Sequence, residues 1–402
     1  MDKFYVGEFM KKTLNDVDVN GKKVLLRVDF NVPLSADLKI VDDNRIIQEL
    51  PTIKYLIEHN AKVIICSHLG RPEGVNNPKM SLRPVASRLS KLLQQDVLFI
   101  EDIKDKDCVK LLSNINNGDI AMLENIRFYK EEEDNDKDFA KMLASLADVY
   151  VFDAFATAHR KHASTYGVAE LLPNAVGFLV EHELEMFNKV LLEPEHPFVA
   201  VLGGAKISDK LPVIENLLDK VDTILVGGGM SYTFVKTIGG EVGKSLVDNK
   251  CLELAKETLD KAKEKGVKIV LPHDKYGADD FTATAKRKCF NSGFFAKDFQ
   301  GMDIGPRTTK TFKHIIKDAK TIVWNGPMGV YEFPKFKRGT KKIAKYIAKS
   351  KAVSIIGGGD TVASVQELGL ENKITHISTG GGASLMLLQG KKLPCIEIIE
   401  DK

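Results

Sequence analysis

The chain has 402 residues, more than a single hydrophobic core usually supports, so we expect two domains. Its 58 Lys and Arg residues nearly balance 55 Asp and Glu residues, and the net charge of +3 argues against a dedicated nucleic-acid-binding protein. The five cysteines form no CxxC pair, and the sequence has neither a signal-peptide pattern nor a membrane-length apolar run. We therefore expect a cytoplasmic protein without membrane contact.

Short apolar segments alternate with segments of helical periodicity, which predicts βα units around parallel sheets. The predicted strands, in chain order, are residues 23–28, 62–66, 119–123, 148–152, 198–202, 223–226, 267–271, 321–324 and 352–356. Helices are predicted at residues 83–94, 139–146, 250–265 and 340–349. A further helix at residues 181–192 stops before Pro194 and Pro197, and it is either the connector between domains or an ordinary surface helix.

The residues that follow the predicted strands differ between the two halves. In the first half they are polar and mostly basic, as in residues 67–71 and 153–160. In the second half they are mostly glycines, at residues 203–204, 227–229, 357–359 and 380–382. Because ligands of open α/β sheets bind at the carboxyl ends of the strands, we predict a basic site on one domain and a glycine-lined site on the other, as two halves of one cleft.

Two familiar nucleotide-binding motifs are incomplete here. Residues 239–245 resemble a P-loop, but three residues rather than four separate the framing glycines and no convincing strand precedes them. We interpret this segment as a surface turn. None of the glycine segments completes a GxGxxG pattern, so a dinucleotide site is not supported.

Two lysines follow the first glycine pair. Lys206 and Lys210 are four residues apart on a predicted helix, where their ammonium groups could bind a polyphosphate beside the glycines. A solvated lysine pair on a surface helix is the alternative. Asp360 follows the glycines at 357–359, and it is either a carboxylate that needs a bridging Mg²⁺ beside phosphates or simply a helix N-cap.

The first half supplies candidate residues for a small, multiply anionic substrate. Five cations lie at or near strand ends, namely Arg45, His68, Arg71, Arg127 and Arg160. Any one of them could instead take part in a surface salt bridge. Asp29 and Asn31 could hold substrate hydroxyls or be turn residues ahead of Pro33. His159 and His162 lack an evident third ligand, so we predict no metal there.

These residues lie in strings that resemble the phosphoglycerate kinase family over essentially the full length. The strings are residues 27–33, 67–71, 123–128, 153–160, 202–206, 227–230, 324–330, 357–361 and 376–384. The resemblance implies an α/β fold with two doubly wound, Rossmann-like parallel-sheet domains facing each other across a cleft. It implies reversible phosphoryl transfer from 1,3-bisphosphoglycerate to ADP, giving 3-phosphoglycerate and ATP, with Mg²⁺ as cofactor. We expect a monomer that binds neither nucleic acid nor membrane.

The resemblance also implies roles for individual residues. The phosphoglycerate site would comprise Asp29, Asn31, Arg45, His68, Leu69, Gly70, Arg71, Arg127 and Arg160. The nucleotide site would comprise Lys206, Lys210, Gly301, Asn325, Glu332, Gly358, Gly359, Asp360 and Thr361, with Asp360 also facing the metal. Catalysis would rest on Arg45, Lys206, Lys210 and the backbone at Gly381. The implied domains are residues 1–180 and 198–388, joined by 181–197, with a tail at 389–402 that returns to the first domain.

The reaction needs no general base, because a carboxylate acceptor with a pKa near ~4 is already ionised at neutral pH. Positioning and charge neutralisation remain, and the domains would have to close to align donor and acceptor and to exclude water. Ala156, Phe152 and Cys395 depart from the family pattern, but none of them is a residue assigned to phosphoryl transfer. Two alternatives stay open: a kinase for another anionic carboxylate, and a catalytically silent nucleotide-binding or scaffold protein.

Overall fold

The computed structural model describes residues 11–291 and 294–402, and these form two compact units. The first unit contains the described residues up to Glu185 together with Lys392–Lys402, and the second contains Met186–Lys391. No helix within these described residues is both long enough and apolar enough to cross a membrane.

The first unit is built on a six-stranded sheet. Its strands are β1 (Lys23–Val28), β2 (Lys62–Cys66), β3 (Val97–Ile100), β4 (Ile120–Leu123), β5 (Val149–Asp153) and β6 (Asn174–Val176). They lie in the order β3-β4-β2-β1-β5-β6, and every pair of neighbours is parallel. The helices are α1 (Asn44–Glu58), α2 (Arg83–Leu93), α3 (Lys106–Ser113), α4 (Lys130–Glu133) and α5 (Lys137–Ala144), and α6 (Phe178–Leu191) begins in this unit and ends in the second. Because both faces of the sheet are covered, the central strands are continuous apolar runs, as in Leu25–Leu26 and Ile64–Ile65.

The second unit contains another parallel six-stranded sheet and a small antiparallel one. The large sheet has the order β15-β14-β13-β7-β8-β9, with β7 (Phe198–Leu202), β8 (Thr223–Val226), β9 (Lys268–Val270), β13 (Thr321–Asn325), β14 (Val353–Gly357) and β15 (His376–Ile377). The small sheet has the order β11-β10-β12, with β10 (Asp274–Ala278), β11 (Arg287–Asn291) and β12 (Gln300–Ile304).

Seven further α-helices lie wholly within the described residues of the second unit. They are α7 (Leu211–Leu217), α8 (Met230–Thr237), α9 (Leu252–Glu264), α10 (Pro306–Asp318), α11 (Arg338–Ile347), α12 (Gly359–Gln366) and α13 (Gly381–Leu388). The core beneath α10 and α11 contains Phe312, Ile316, Ile343 and Ile347 packed with Trp324 of β13. The two doubly wound sheets agree with the fold class expected from the sequence.

Residues 394–401 return to the first unit. They include helix α14 (Pro394–Glu397), whose second residue, Cys395, contacts the segment after β5. The Cys395 N–H donates to Ala158 O at 3.1 Å, and the Cys395 thiol lies 3.1 Å from Arg160 O. Asp401 forms an isolated antiparallel bridge with Lys11, and their side chains form an ion pair at 2.8 Å. The thiol of Cys395 is thus placed against the backbone of a predicted substrate residue.

The sequence located nine strands of the parallel sheets to within one residue at each end, because they are buried apolar runs. It missed β3, β6 and β15 and the whole antiparallel sheet. β15 has two residues and β6 has three, too few for a period to be visible, and β10 and β11 carry lysines and an arginine among their residues. Residues 239–245 follow α8 rather than a strand, which confirms that they are not a P-loop.

The N-terminus of α10 depends on a buried carboxylate of β10. Asp274 is 1% exposed and accepts hydrogen bonds from the backbone N–H groups of Arg307 (2.9 Å) and Thr308 (2.8 Å) and from the Thr308 hydroxyl (2.8 Å). Its negative charge is also favourable at the positive end of the helix dipole.

We predict that Asp274→Ala destabilises the second unit, because buried N–H groups lose their acceptor, by on the order of 3 kcal/mol. The measurement is the midpoint and enthalpy of thermal unfolding by calorimetry. Asp280→Ala is the matched control, since Asp280 is exposed and, among the described residues, accepts a hydrogen bond only from the adjacent Phe281 N–H. Equal midpoints for the two variants would contradict the role assigned to Asp274.

Candidate active site

Each parallel sheet reverses its strand order at one point, which is where ligands of such sheets bind. In the first unit the reversal lies between β1 and β5, and in the second it lies between β7 and β13. Asp29 follows β1 directly, and Arg160 follows β5 after a short turn. Gly203 follows β7, and Asn325 is the last residue of β13.

A carboxylate, a guanidinium group and an imidazole form the centre of the first candidate site. Asp29, which is 8% exposed, pairs with the Arg45 guanidinium through Oδ2, and its Oδ1 lies 3.9 Å from His68 Nδ1. Asp29 Oδ1 also accepts from the Asn31 N–H at 3.1 Å. The sequence allowed Asp29 to be either a turn residue or a substrate-binding residue. Its side chain does stabilise the turn through Asn31, and it also contacts two of the predicted substrate residues, Arg45 and His68. Burial opposes ionisation of Asp29, but His68 and Arg45 more than compensate and hold its pKa below the usual value.

The segment that carries His68, Leu69 and Gly70 is fixed by two asparagines. Asn31 Oδ1 accepts from the Gly70 N–H at 2.9 Å. The buried Asn125 side chain accepts from the Leu69 N–H at 3.1 Å and donates to the Leu69 carbonyl at 2.7 Å. Asn125 lies in the string 123–128, and the sequence predicts no role for it. Its position ahead of a basic residue gave no signal of this bridging function.

The remaining predicted cations of this unit lie in different environments. Arg127 is 4% exposed, donates to Gly70 O at 2.9 Å and lies 3.2 Å from a Glu133 oxygen. Burial is the main reason that its pKa is lowered, and Arg27 and Arg160 contribute to the same shift. Arg160 is half-buried and donates to His159 Nε2 at 3.2 Å. Arg71 is exposed and makes no hydrogen bond or ion pair with the part of the chain that the structure describes.

Sequence reasoning missed the residue that connects this cluster. Arg27 is 1% exposed, and its Nη2 lies 3.3 Å from His68 Nδ1. Its Nε donates to the Ser164 hydroxyl at 2.8 Å, which in turn donates to the fully buried Glu132 at 2.7 Å. The position of Arg27 inside a buried strand was the available signal, because a charged residue in such a run requires specific partners.

The histidines of the cluster are held neutral. Burial lowers the pKa of His68 well below its usual value, and the adjacent Arg27 guanidinium lowers it further against the opposing charge of Asp29. Burial, followed by the charges of Arg127 and Arg27, lowers the pKa of His162 to about 4. The cluster therefore presents neutral imidazoles and positively charged guanidinium groups at neutral pH.

The second candidate site contains the predicted lysines, but not on a helix. Residues 203–210 are irregular, Lys210 is the N-cap of α7, and Lys206 is exposed in the preceding loop. The expectation that both lysines share a helical face was wrong. Pro212 accounts for this start, since proline is favoured in the first turn of a helix, where no N–H donor is required. Lys210 is 8% exposed and donates to Asn325 Oδ1, and burial lowers its pKa to about 8.

The glycines that follow the strands have two different functions. A Cβ atom at Gly203 would lie 2.2 Å from Pro327 O, and one at Gly326 would lie 2.3 Å from Gly203 O. These glycines allow the loops after β7 and β13 to pack against each other. At Gly204 and Gly359, by contrast, a Cβ would meet no described atom within 4 Å. The prediction that glycine admits a ligand therefore suits Gly204 and Gly359 but not Gly203.

The carboxylate of Asp360, which follows β14, does not cap helix α12. The N-cap of α12 is Gly358, and Asp360 lies in the first turn without a capping hydrogen bond, so the N-cap interpretation of Asp360 was wrong. Its pKa is raised by burial and by the negative charge of Glu332. Thr361 is buried, and its hydroxyl accepts from the Gly326 N–H at 2.9 Å. The described residues contain no cluster of three or more His, Cys, Asp or Glu side chains, so a cation beside Asp360 and Glu332 would need further ligands, such as phosphate oxygens.

Gly301 and Gly381 complete the predicted second site. Gly381 is the first residue of α13, so its backbone N–H belongs to the first turn. A Cβ at Gly301 would lie 2.1 Å from the Tyr232 ring, and the Gly301 N–H donates to the Ser245 hydroxyl at 2.8 Å. Lys275, which the sequence analysis also did not single out, contacts the same Tyr232 ring. Lys275 is 2% exposed, its Nζ is 4.5 Å from the ring centroid, and burial lowers its pKa to about 7.

A family model, two curated relatives and two solved structures that resemble this chain all carry the same name. The family model described as phosphoglycerate kinase matches residues 14–391. The phosphoglycerate kinases of Finegoldia magna and Dictyoglomus turgidum are each 53% identical, over 394 and 396 residues, and both alignments cover 98% of this chain and 100% of the relative. The structure of phosphoglycerate kinase from Coxiella burnetii has a TM-score of 0.87 at 43% identity, covering 96% of this chain and 98% of that chain. The Pyrococcus horikoshii enzyme has a TM-score of 0.79 at 37% identity with the same coverage.

We predict that Arg27→Met raises the pKa of His68, because it removes a positive charge 3.3 Å from the ring nitrogen. The measurement is a pH titration of the His68 Cε1 resonance. Arg83→Met is the control, because Arg83 pairs with Glu101 on the surface and should leave His68 unchanged. A pKa that stays equal or falls in Arg27→Met would contradict the proposed contact.

The same shift determines how His68 couples pH to stability. Its pKa in the folded chain lies below that in the unfolded chain, so protonation favours unfolding. The resulting loss of stability begins as pH falls below about 6.5, the ordinary value for histidine. The loss should be smaller in Arg27→Met, as measured by the unfolding midpoint in urea at successive pH values.

Proposed function

Since this chain belongs to the phosphoglycerate kinase family, we propose that its first domain binds phosphoglycerate and its second binds the nucleotide. The enzyme catalyses reversible phosphoryl transfer from 1,3-bisphosphoglycerate to ADP, which gives 3-phosphoglycerate and ATP in glycolysis. The proposed domain limits are residues 1–180 and 198–388, with 181–197 as connector and 389–402 as the returning tail. We expect the enzyme to act as a monomer in the cytoplasm.

The observation that carries this assignment is the cation cluster at the carboxyl ends of the first sheet's strands. Arg45, Arg127 and Arg160 lie there around the neutral His68 and the buried Arg27. Guanidinium groups match the oxygens of carboxylates and phosphates in a bidentate way. Such a cluster suits a substrate with a phosphate at one end and an acyl phosphate or carboxylate at the other. Asp29, Asn31, Leu69, Gly70 and Arg71 would complete the phosphoglycerate site.

The nucleotide would bind over the loops that follow β7, β13 and β14. Lys210 and the exposed Lys206 would contact its phosphates beside the open backbone at Gly204 and Gly359. The bond from Lys210 to the neutral Asn325 side chain leaves the ammonium charge uncompensated for a ligand. Gly301, Glu332, Gly358, Asp360 and Thr361 are the other residues assigned to this site.

The chemistry requires positioning and charge compensation rather than proton transfer. In the direction that consumes ATP, the attacking group is a carboxylate that is already ionised at neutral pH. Charge on the transferring phosphoryl group would be stabilised by Arg45 and Lys210 and by N–H groups at Gly381. Lys206 would assist by orienting the nucleotide phosphates.

Asp360, with Glu332 nearby, would hold a Mg²⁺ ion that arrives with the nucleotide. Such an ion neutralises phosphate charge and fixes the arrangement of the phosphate oxygens. Without a cation, the two carboxylates would repel the polyphosphate.

The direct test is formation of ATP from 1,3-bisphosphoglycerate and ADP, with and without Mg²⁺. We expect rapid turnover with the metal and little without it. A panel of other acyl phosphates distinguishes this activity from a kinase for a different anionic carboxylate. Absence of turnover with nucleotide binding retained would favour the silent nucleotide-binding protein instead.

We predict that Lys210→Ala and Arg45→Ala each lower kcat by about 10²- to 10³-fold, because each removes charge stabilisation of the transferring group. KM for either substrate should change far less, since other cations hold the ground state. The measurement is steady-state kinetics in both directions. Lys256→Ala and Lys54→Ala are controls, since both lysines are exposed and Lys54 lies on the same helix as Arg45. Near-normal kcat in the two site variants would refute these roles.

We predict that Asp360→Asn weakens the binding of Mg²⁺ with the nucleotide. The Mg²⁺ concentration that gives half-maximal nucleotide binding should rise on the order of tenfold. Calorimetric titration with ADP and with Mg-ADP gives a readout independent of turnover. The variant should bind free ADP more tightly than the unmodified enzyme, because a repulsive charge is gone, and Mg-ADP more weakly. Glu371→Gln, an exposed acid of the same unit, should change neither affinity. An unaltered preference for Mg-ADP in Asp360→Asn would exclude the carboxylate as a metal ligand.

A further inference from the structure

Positive charge is concentrated in one segment of the second unit. Residues 306–351 contain 13 Lys and Arg residues and only two acids, Asp318 and Glu332. This segment therefore carries a net charge of +11, and the rest of the chain carries −8 to give the total of +3. Such segregation is typical of proteins with a polyanionic partner.

Helix α10 presents one row of these cations to solvent. Its core-facing residues are Thr308, Thr309, Phe312 and Ile316. The opposite stripe, at intervals of three and four residues, consists of the cations Arg307, Lys310 and Lys317 with His314 between the two lysines, and all four side chains are exposed. At 1.5 Å per residue the row is about 15 Å long.

Helix α11 presents a second row. Its buried residues are Gly339, Thr340, Ile343, Ala344 and Ile347. The opposite stripe is Arg338, Lys342, Lys345 and Lys349, again spaced by three or four residues and exposed. Lys349 continues the stripe two residues beyond the helix end.

The two rows lie side by side on one surface. Helices α10 and α11 contribute to the same core over Trp324. At the seam between them, Lys313 of α10 lies over the Tyr346 ring of α11, with Nζ 5.9 Å from its centroid. Packed helices have axes about 8–10 Å apart, so the rows are separated by roughly that distance or slightly more. We call the eight stripe residues the basic face.

The charges of the basic face are not neutralised within the chain. The neighbouring Lys337 and Lys341 are paired with Glu367, at 2.9 and 2.7 Å. None of the eight residues of the face has an ion-pair partner in the ranges 11–291 and 294–402. Seven like charges this close, from the lysines and arginines of the face, raise the electrostatic energy of the fold, and the loss is recovered when an anion binds.

We propose that the basic face binds the phosphate backbone of double-stranded nucleic acid without regard to sequence. A duplex presents two rows of phosphates across each groove, and two cation rows about 10 Å apart can each follow one of them. No large apolar side chain between residues 306 and 351 is exposed, which disfavours an anionic membrane because stable peripheral binding usually inserts an apolar face. The expectation of no nucleic-acid partner rested on the whole-chain charge, which averages over this segregation.

The binding should be electrostatic and therefore steeply dependent on salt. We expect a Kd on the order of 10⁻⁶ to 10⁻⁴ M for a duplex at physiological salt. Each lysine that contacts a phosphate contributes about −0.9 to the slope of log affinity against log salt concentration. No base preference is expected, since the face offers no element that would enter a groove.

The test uses the full-length enzyme and a fluorescein-labelled DNA duplex of mixed sequence, followed by anisotropy at several salt concentrations. The variant combines Lys310→Gln, Lys317→Gln, Lys345→Gln and Lys349→Gln. The matched control combines Lys236→Gln, Lys250→Gln, Lys256→Gln and Lys263→Gln, which are exposed lysines on other helices of the same unit. Both change the net charge by the same amount, and turnover with 1,3-bisphosphoglycerate checks that each is folded.

The expected result is that the first variant loses at least about tenfold in affinity and about 3–4 in salt slope, while the control stays within about twofold of the original. If the quadruple variant has lost turnover, the pairs Lys310/Lys317 and Lys345/Lys349 are measured separately, and each pair should account for about half of that loss in salt slope. No duplex binding at low salt, or equal losses in variant and control, would overturn the proposal. Tighter binding to vesicles containing anionic phosphatidylserine than to duplex, at equal phosphate concentration, would also overturn it and assign the face to a membrane.

Discussion

A guanidinium group cannot be buried without polar partners, and the first domain depends on how Arg27 meets this constraint. Removing such a charge from water costs several kcal/mol unless its donors are satisfied. Arg27 donates to the Ser164 hydroxyl and to a backbone carbonyl, and it contacts His68. Glu132 lies behind Ser164, so the compensating negative charge is on the core side. Positive charge is consequently left facing the segment where a multiply anionic substrate would bind.

The second domain solves a related problem with a neutral partner. Lys210 is mostly buried and is hydrogen-bonded to an amide oxygen rather than to a carboxylate, so its charge is oriented but not neutralised. Arg45, by contrast, is paired with Asp29 and would have to share that partner with a ligand. The two proposed catalytic cations therefore start from different electrostatic states. The charge of Arg45 is balanced by the carboxylate of Asp29. The ammonium group of Lys210 has no such partner among the described residues, and burial lowers its pKa.

The sequence predicted the parallel sheets and the residues at their carboxyl ends, because buried strands and strand-end residues are encoded locally. It did not predict what depends on tertiary contacts. Whether Lys206 and Lys210 are helical depends on where α7 begins, and the function of Gly203 depends on a loop more than a hundred residues away. The hydrogen bonds that Arg27 and Asn125 make could not be predicted, since their partners Ser164, His68 and Leu69 are distant in sequence. The charge segregation on α10 and α11 was present in the sequence and was hidden by averaging over the chain.

The attachment of residues 392–402 to the first unit makes the second unit an insertion within the first. During translation the ribosome completes all of residues 186–391 before it supplies the segment that covers Ala158 and Arg160 and bridges to Lys11. The second unit can thus reach its native state on the nascent chain while the first still lacks a part. We therefore expect the earlier-synthesised domain to mature last, and a chain released prematurely near residue 391 to hold one finished domain and one unfinished domain.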